Sequence, residues 1–344
     1  MGTARVRAQT DFVGKSGRKE TKMAGLGITV APSSGIPYQD FVQLTREVED
    51  TGFGGVFVSE STNDALMCCY AVVKATKRIQ IGTWIVNIFL RDPTLCAISA
   101  EMVQDAADGR FILGLGVSHR PLLESRGIDM GNGRDRLKHD TVRIRKVWSG
   151  EATAPGGRKY QLPKHPIPIY YAALAIETAR LAGELADGLM LYLCPPERMR
   201  RSIDVAREAA VKHGRKATDV VATMGVPVFM HDDMKQAYAA ARQGIAFYGA
   251  LPFYNRLFAR SGFEKEAKAA ADAIARRDQA ALVASITDQM VDAVALVGPA
   301  SRCLERLAQY RQHGAEVPII VPNSVNEDYS SGVRRVLKAF AKAN

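Results

Sequence analysis

The chain has 344 residues, 47% of them hydrophobic and 24% charged, which is ordinary for a globular protein with a full core. No stretch reaches the roughly 18 uninterrupted apolar residues of a membrane span, and the N-terminus has no apolar signal core, so we expect neither a membrane protein nor a secreted one. The formal net charge is +10, but the basic residues are scattered and form no nucleic-acid-binding motif, so we expect a small-molecule substrate rather than nucleic acid.

Residues 1–22 hold six Lys/Arg against two acidic residues and show no apolar periodicity, which predicts a disordered basic leader before one domain over 23–344. Short apolar runs alternate with amphipathic segments from residue 25 onward. The apolar runs predict the strands Gly25–Ala31, Gly55–Ser59, Ile79–Val86, Phe111–Val117, Ile167–Ala172, Gly188–Leu193, Val220–Met230 and Val317–Val321. The predicted helices are Tyr38–Thr51, Asp64–Lys77, one starting at Asp92-Pro93, Arg134–Trp148, Ile176–Ala186, Glu197–His213, Lys235–Tyr248 and Val333–Ala343.

Strands that are apolar throughout and separated by helices indicate a parallel sheet covered on its outer face. The number of such units favours a closed (β/α)8 TIM barrel, and the first strand lacks the G-x-G-x-x-G turn of a dinucleotide-binding sheet. Residues 249–300 interrupt the alternation. They predict two or three alanine-rich helices inserted between the seventh and eighth strands.

The sequence lacks the motifs of several classes of hydrolase. The six histidines contain no H-x-H pair and no H-E-x-x-H, and no G-x-S-x-G nucleophile turn is present. The five cysteines form no C-x-x-C pair and their number is odd, which argues against a zinc site or a disulfide framework and favours the cytoplasm.

Active sites of parallel barrels lie where the loops after the strands converge. Glu60 follows the second predicted strand and His119 the fourth. A carboxylate in a dry pocket can shuttle a proton, and an imidazole can do the same, so both are catalytic candidates. The alternatives are a helix-capping acid and a solvated loop histidine. Asn63 or Asp64 can cap the helix, which leaves Glu60 free for another role.

Two further features suit a flat, phosphorylated ligand. Trp84, on the third predicted strand, is either a wall for a flat ring or part of the core outside the barrel. The turn 172–178 leads into a helix with small residues that let a phosphate approach free backbone N–H groups. Simple alanine packing is the alternative. The turn consists of Ala172, Ala173, Leu174, Ala175, Ile176, Glu177 and Thr178.

Longer segments resemble the bacterial-luciferase-like superfamily of flavin- and F-420-dependent enzymes. Gly109–His119 (GRFILGLGVSH) resembles the family's fourth strand, and Ile79–Asn87 (IQIGTWIVN) its third. Pro168–Leu174 with Thr178–Gly188 is similar to its fifth strand and helix, and Glu60–Ala65 to a pattern of F-420-dependent members. The likeness spans about residues 24–330.

The resemblance implies a flavin-type ring in the mouth of the barrel and a cofactor phosphate near residues 172–178. It also implies a non-prolyl cis peptide around Gly82–Ile85 behind the ring, and Asn87 near the polar edge of the ring. His119 is expected beside the cofactor. Thr83 and Ser118, at the same rim, complete the predicted cofactor contacts.

The sequence departs from the family pattern at two places. Ala175-Ile176 stands where many members have Gly-Pro, which leaves the phosphate contacts open. Ser61 stands where many F-420-dependent members have a histidine, so either Glu60 acts alone or His119 replaces that partner.

Three functions remain open at this point. The first is hydride transfer between coenzyme F-420 and an unknown organic substrate, favoured by the Glu60–Ala65 pattern and the basic charge. The second is an FMN-dependent monooxygenase that uses reduced flavin and oxygen, and the third a non-catalytic flavin-binding barrel subunit. The resemblance also implies a homodimer. Aromatic residues of the insertion either form a lid or pack the inserted helices together: Phe253, Tyr254, Phe258 and Phe263.

Overall fold

A single sheet of parallel strands runs through residues 25–341, the part of the chain that this computed structural model describes, and the predicted leader 1–22 lies outside it. The strands are β1 Gly27–Thr29, β2 Gly55–Val58, β3 Gln80–Thr83, β4 Val86–Asn87, β5 Phe111–Gly116, β6 Ile169–Ala172, β7 Gly188–Tyr192, β8 Val221–Met230, β9 Leu296–Gly298 and β10 Val317–Asn323. Ile319 of β10 pairs with Gly27 on one side and Gly225 on the other. This double pairing closes the sheet and confirms the predicted (β/α)8 barrel.

The helices cover the outside of this barrel. They are α1 Tyr38–Asp50, α2 Ala65–Ala75, α3 Pro93–Ala106, α4 Arg120–Glu124, α5 Gly133–Trp148, α6 Ile176–Leu185, α7 Pro196–Lys212, α8 Met234–Gly249, α9 Pro252–Ala259, α10 Glu264–Ala275, α11 Gln279–Ala284, α12 Asp288–Val294, α13 Ala300–Gln312 and α14 Tyr329–Phe340. Several of these helices begin at acidic caps. Asp64 accepts from two N–H groups of α2, and Asp92 does so for α3, which begins at Pro93 as predicted.

The third predicted strand is divided in two. A non-prolyl cis peptide joins Trp84 to Ile85 and separates β3 from β4, within the interval that the resemblance implied. Both parts pair with β5, β3 through Ile81 and β4 through Val86. The division therefore redirects the chain at the top of the barrel without opening the sheet.

The insertion contains more helices than predicted. Residues 249–300 contain four helices, α9–α12, where two or three were predicted, and then strand β9, which pairs with the end of β8. Asp278 and Thr287 cap α11 and α12 and so interrupt the alanine-rich run. The prediction was wrong because residues with good helix propensity on both sides of a cap look like one continuous helix.

The barrel interior is filled with large side chains. Phe57 packs edge-on against Trp84, with ring centroids 6.0 Å apart, and Trp84 and Ile85 lie partly exposed against this interior cluster. Trp84 therefore belongs to the inside of the barrel, which excludes the alternative that it packs outside it. The buried members of the cluster are Phe57, Ile112, Tyr170, Met190, Val317 and Ile319.

Gly183 permits a close contact between two helices on the outer surface of the barrel. A Cβ atom at Gly183 of α6 would lie 1.9 Å from the carbonyl oxygen of Ala206 of α7. We expect Gly183→Ala to lower the free energy of unfolding by about 1–3 kcal/mol, because overpacking outweighs the gain in helix propensity. Urea denaturation measures this.

The matched control is Gly249→Ala at the end of α8, where a Cβ would make only ordinary contact, 3.6 Å from Ile286. Equal stability of the Gly183→Ala protein and wild type would contradict the helix contact described above.

Candidate active site

The carboxyl ends of the strands open at one end of the barrel, here called the mouth. Its floor is formed by Trp84 and Ile85, both partly exposed. A Cβ at Gly116 of β5 would lie 2.6 Å from Ile85 Cδ1 and 3.3 Å from the Cβ of Ala172. Glycine at this position therefore leaves room for Ile85 between two strand ends, and Ile85 with Trp84 gives an apolar floor of the kind a flat ring needs.

Glu60 lies at the side of this floor, and its side chain is only 3% exposed. Its Oε2 accepts a hydrogen bond from the backbone N–H of Asn87 at 2.8 Å, and its Oε1 accepts one from Arg91 Nη2. Burial raises the pKa of Glu60 above its ordinary value, and the Asn87 N–H and the Arg91 charge oppose this rise. Both carboxylate oxygens thus connect the end of β2 to β4 and the segment after it.

Thr83 does not reach the mouth, contrary to its predicted role in cofactor binding. It is fully buried, and its hydroxyl donates to the carbonyl oxygen of Gly114 and accepts from the N–H of Gly114, both at 2.8 Å. Because this hydroxyl both donates and accepts a hydrogen bond, Thr83 links β3 to β5. Asn87 is also buried, at 6% exposed, and its Oδ1 accepts from the N–H of Phe89.

His119 follows β5 and lies half-buried among aromatic rings. Its ring centroid is 5.4 Å from that of Tyr254 and 6.3 Å from that of Phe253. Its Nδ1 is buried and has no hydrogen-bond partner among residues 25–341, and burial lowers the pKa of the imidazole. The structure therefore contradicts the alternative of a solvated loop histidine. The preceding residue, Ser118, has a φ of 59°, a left-handed conformation that is uncommon outside functional sites and turns.

In the predicted phosphate turn, some backbone N–H groups donate within the protein and others are available to a ligand. The N–H of Ala173 donates to Met190 at 3.0 Å and that of Thr178 to Ala175 at 3.1 Å, so neither is available to a ligand, contrary to the prediction for these two. Helix α6 begins at Ile176, and no side chain caps it. Its first N–H groups, at Ile176 and Glu177, have no acceptor within the helix and are free for an anion.

Arg198 of α7 lies beside this turn and was not predicted. It is 9% exposed, its Nη2 donates to the carbonyl oxygen of Leu174 at 3.3 Å, and its Nε has no partner within residues 25–341. Burial lowers the pKa of Arg198 and the charges of Arg201 and Arg260 lower it further, whereas Cys194 and Glu177 raise it. The guanidinium of Arg198 and the uncapped N-terminus of α6 supply positive charge on this side of the mouth, and the carboxylate of Glu177 in the first turn of α6 offsets part of it. The basic run Arg198–Arg201 was the sequence signal for it.

A cluster of aromatic side chains lies at the mouth around His119. Tyr248 of α8 lies 5.2 Å from Tyr192 of β7 and 4.8 Å from Tyr254 of α9, ring centroid to ring centroid. With His119 and Phe253 these residues form what we call the aromatic wall. Phe253 and Tyr254 therefore line the mouth, in the position expected of a lid. The other two aromatic residues of the insertion, Phe258 and Phe263, are buried and pack the inserted helices together.

Within residues 25–341 no group of three or more His, Cys, Asp or Glu side chains is placed to hold a metal ion. No helix in that range is both long and apolar enough to cross a bilayer.

Known proteins share this architecture. A model of the luciferase-like monooxygenase family matches residues 23–316. A 5,10-methylenetetrahydromethanopterin reductase of Methanolobus tindarius is 27% identical over 293 residues, 82% of this chain and 89% of the reductase. The coenzyme F-420-dependent tetrahydromethanopterin reductase of Methanopyrus kandleri has a TM-score of 0.76 at 18% identity and covers 92% of this chain and 98% of its own. The FMN complex of the oxygenating constituent of 3,6-diketocamphane monooxygenase from Pseudomonas putida has a TM-score of 0.65 at 18% identity, over 92% and 96%.

Proposed function

Because the chain belongs to the luciferase-like monooxygenase family, we propose that it is an oxidoreductase that transfers a hydride between coenzyme F-420 and an organic substrate. The observation that carries this proposal is that the mouth has three different parts. It has an apolar floor, a side with the buried Arg198 beside an uncapped helix N-terminus, and an aromatic wall that includes His119. These three parts match a flat ring, an anionic tail and a reacting substrate.

The residues present fit such a cofactor. The unpartnered Nε of buried Arg198 and the free N–H groups of Ile176 and Glu177 are donors without acceptors, which a phosphate would satisfy. Trp84 and Ile85 would lie beneath the ring. Coenzyme F-420, when bound, supplies the carbon that gives or receives the hydride.

The chain's own residues would handle the proton and the geometry. Burial lowers the pKa of His119 and so favours the neutral imidazole, which can take the proton of an alcohol as the hydride leaves for the cofactor. In the reverse direction the imidazolium would return that proton to the carbonyl oxygen and become neutral again. Glu60 would act as a positioning residue, since both of its oxygens hold Asn87 and Arg91. The aromatic wall would exclude water from the reacting atoms.

An FMN-dependent monooxygenase is the second candidate, and the likeness to the Pseudomonas putida FMN complex supports it. Flavin and deazaflavin rings have the same size and both carry a phosphate on their side chain, but only F-420 carries an oligoglutamate tail. The arginine cluster and the net charge of +10 favour the cofactor with the more anionic tail. Titration of the purified protein with each cofactor, followed by fluorescence, tests this choice. Binding of F-420 at least about tenfold tighter than FMN supports the proposal, and the reverse order contradicts it.

We also propose a homodimer formed through an apolar patch on α2 and α3. Its residues are between 36% and 67% exposed and none is charged, and exposed patches of this kind mark interfaces. A second copy suits this patch, because its apolar residues would face the same residues across a two-fold axis. The patch consists of Met67, Tyr70, Leu95, Ile98 and Met102.

We expect Met102→Glu to raise the dimer dissociation constant by about 100-fold or more, because a two-fold interface would bury two unpaired carboxylates close together. Sedimentation velocity measures this. Phe247→Glu, on α8 and 58% exposed, is the control outside the patch. A monomeric wild-type protein at micromolar concentration, or a Met102→Glu protein that stays dimeric, would contradict the proposal.

The five cysteines bear on where the protein acts. All of them are free, although two are adjacent in sequence. Free thiols are expected in a reducing compartment, which supports the cytoplasm as the protein's location.

A further inference from the structure

The segment 158–166, which we call the strap, leads from α5 to β6 and runs along α3 at the end of the barrel opposite the mouth. Most of its residues are exposed. Asp105 of α3 accepts the backbone N–H of Lys164 at 2.9 Å, and the side-chain amide of Gln104 donates to the carbonyl oxygen of Pro166. The strap is therefore attached to α3 by polar contacts more than by apolar packing.

Glu101 lies one helical turn before Asp105 and joins this contact. Glu101 is only 4% exposed, and the side chain of Asp105 is 11% exposed. Glu101 Oε1 and Asp105 Oδ2 are both buried, and neither has a hydrogen-bond donor within residues 25–341. The two side chains nevertheless lie within hydrogen-bonding reach of each other. Buried carboxylate oxygens without a donor are rare and costly, so two of them in contact need an explanation.

The charges around this pair do not balance if both carboxyl groups are ionised. Asp105 of α3 and Lys164 of the strap are the charged groups that act most on Glu101, and Lys164 Nζ lies 3.6 Å from Asp105 Oδ2. Two carboxylates and one lysine would leave a negative charge in excess beside a buried side chain. One proton on Glu101 removes this excess and also supplies the donor that Asp105 Oδ2 lacks.

We propose that Glu101 and Asp105 share one proton and thereby form a pH-sensitive clasp for the strap. Glu101, the more buried of the two, carries the proton and donates it to Asp105 Oδ2. Asp105 stays ionised and accepts the N–H of Lys164. Loss of the proton places two carboxylates in contact, and their repulsion draws Asp105 away from the strap, which then opens locally. The clasp lies far along the chain's strands from the mouth, so this inference does not depend on the proposed function.

The direction of the pH effect follows from the surroundings of Glu101. Burial and the neighbouring Asp105 raise the pKa of Glu101, whereas Gln161 and Lys164 oppose the rise. Because this pKa is higher in the folded than in the unfolded chain, the clasp is intact at low pH and is lost as the pH rises through the raised pKa.

The proton itself is tested by ¹³C NMR of the full chain labelled at the glutamate side-chain carboxyl carbon. The resonance of Glu101 is identified by its loss in Glu101→Gln. We expect it to titrate clearly above the ordinary glutamate pKa of about 4.3. Titration of this resonance at or below about pH 4.3 would contradict the clasp.

Hydrogen exchange of the strap tests what the proton does. After correction for the intrinsic pH dependence of exchange, protection of 158–166 in wild type should fall at least about tenfold from about pH 5 to about pH 9. Glu101→Gln has the same shape and a permanent N–H donor, so it should keep its protection over this range. Constant protection in wild type, or an equal fall in Glu101→Gln, would overturn the proposal.

A second titrating contact of the strap provides the matched control. His165 Nε2 lies 3.1 Å from Asp108 Oδ1, and the side chain of Asp108 is 93% exposed. Asparagine tolerates the φ of 51° at this position, so Asp108→Asn removes only the exposed carboxylate. This variant should lose protection with pH as wild type does. If the fall disappears in Asp108→Asn, the pair of His165 and Asp108 causes the pH dependence and the clasp is wrong.

A bound cation is the other way to neutralise two adjoining carboxylates. Calorimetric titration of wild type with CaCl2 at about pH 8 distinguishes it from a shared proton. We expect no binding of Ca²⁺. Binding that Glu101→Gln abolishes would mean that the pair holds a metal ion, and it would overturn the clasp.

Discussion

Replacing His119 with glutamine is expected to lower the turnover number by about 10²–10⁴-fold, the usual contribution of a general acid or base. His119 is the titratable group of the aromatic wall whose pKa lies nearest neutrality, and its Nδ1 has no partner within residues 25–341. The assay follows the absorbance of F-420 with the fastest substrate from a panel of ring-containing ketones and alcohols. His139→Gln, on α5 with a side chain 74% exposed, is the control.

The pH profile separates a proton-transfer role from a structural one. Burial lowers the pKa of His119, so the imidazole stays neutral until the pH falls below its ordinary range. Oxidation of an alcohol needs the neutral form, so its rate should fall as the pH drops through that lowered pKa. The His119→Gln protein should lack this acidic limb. Unchanged turnover and an unchanged limb would show that His119 does not transfer the proton.

Arg198→Met is expected to weaken F-420 binding by about 10- to 100-fold, the value of one charge-assisted hydrogen bond. Methionine keeps much of the apolar stem that packs in α7, so loss of the guanidinium is the main change. Fluorescence titration measures the affinity. The riboside of the same deazaflavin, which lacks the phosphate, should bind wild type and variant equally.

Arg200→Met is the matched control on the same helix. Arg200 is 58% exposed and pairs with Asp204 instead of facing the turn at Leu174. Equal losses of F-420 affinity for both variants would show that general charge, and not the turn, attracts the cofactor. A loss of riboside affinity in Arg198→Met would show that Arg198 does not act through the phosphate.

The barrel could be predicted because each strand is a continuous apolar run and each helix has a visible start. The pair Asp92-Pro93 predicted the exact residue at which α3 begins, because an acidic residue followed by proline is typical of a helix N-terminus. The segment between β8 and β10 was harder to predict from the sequence. Strand β9 is three residues long, and an apolar run of that length has no periodicity.

For the candidate site, the sequence could predict only which residues follow each strand at the mouth of the barrel. Glu60 was predicted at the rim, but its ion pair with Arg91 depends on how β2 and β4 adjoin. The hydroxyl of Thr83 looked available from the sequence and is used by Gly114 of the neighbouring strand. Arg198 was missed because its burial depends on the packing of α7 against a turn more than twenty residues earlier in the chain.

The central claim is that one mouth holds the ring on an apolar floor and the phosphate on the positive side. A crystal structure of the protein with F-420 tests it most directly. We predict the ring over Trp84 and Ile85, and a phosphate oxygen within hydrogen-bond distance of Arg198 and of the N–H of Ile176 or Glu177. A ring outside the mouth, or a phosphate held away from Arg198, would contradict the account.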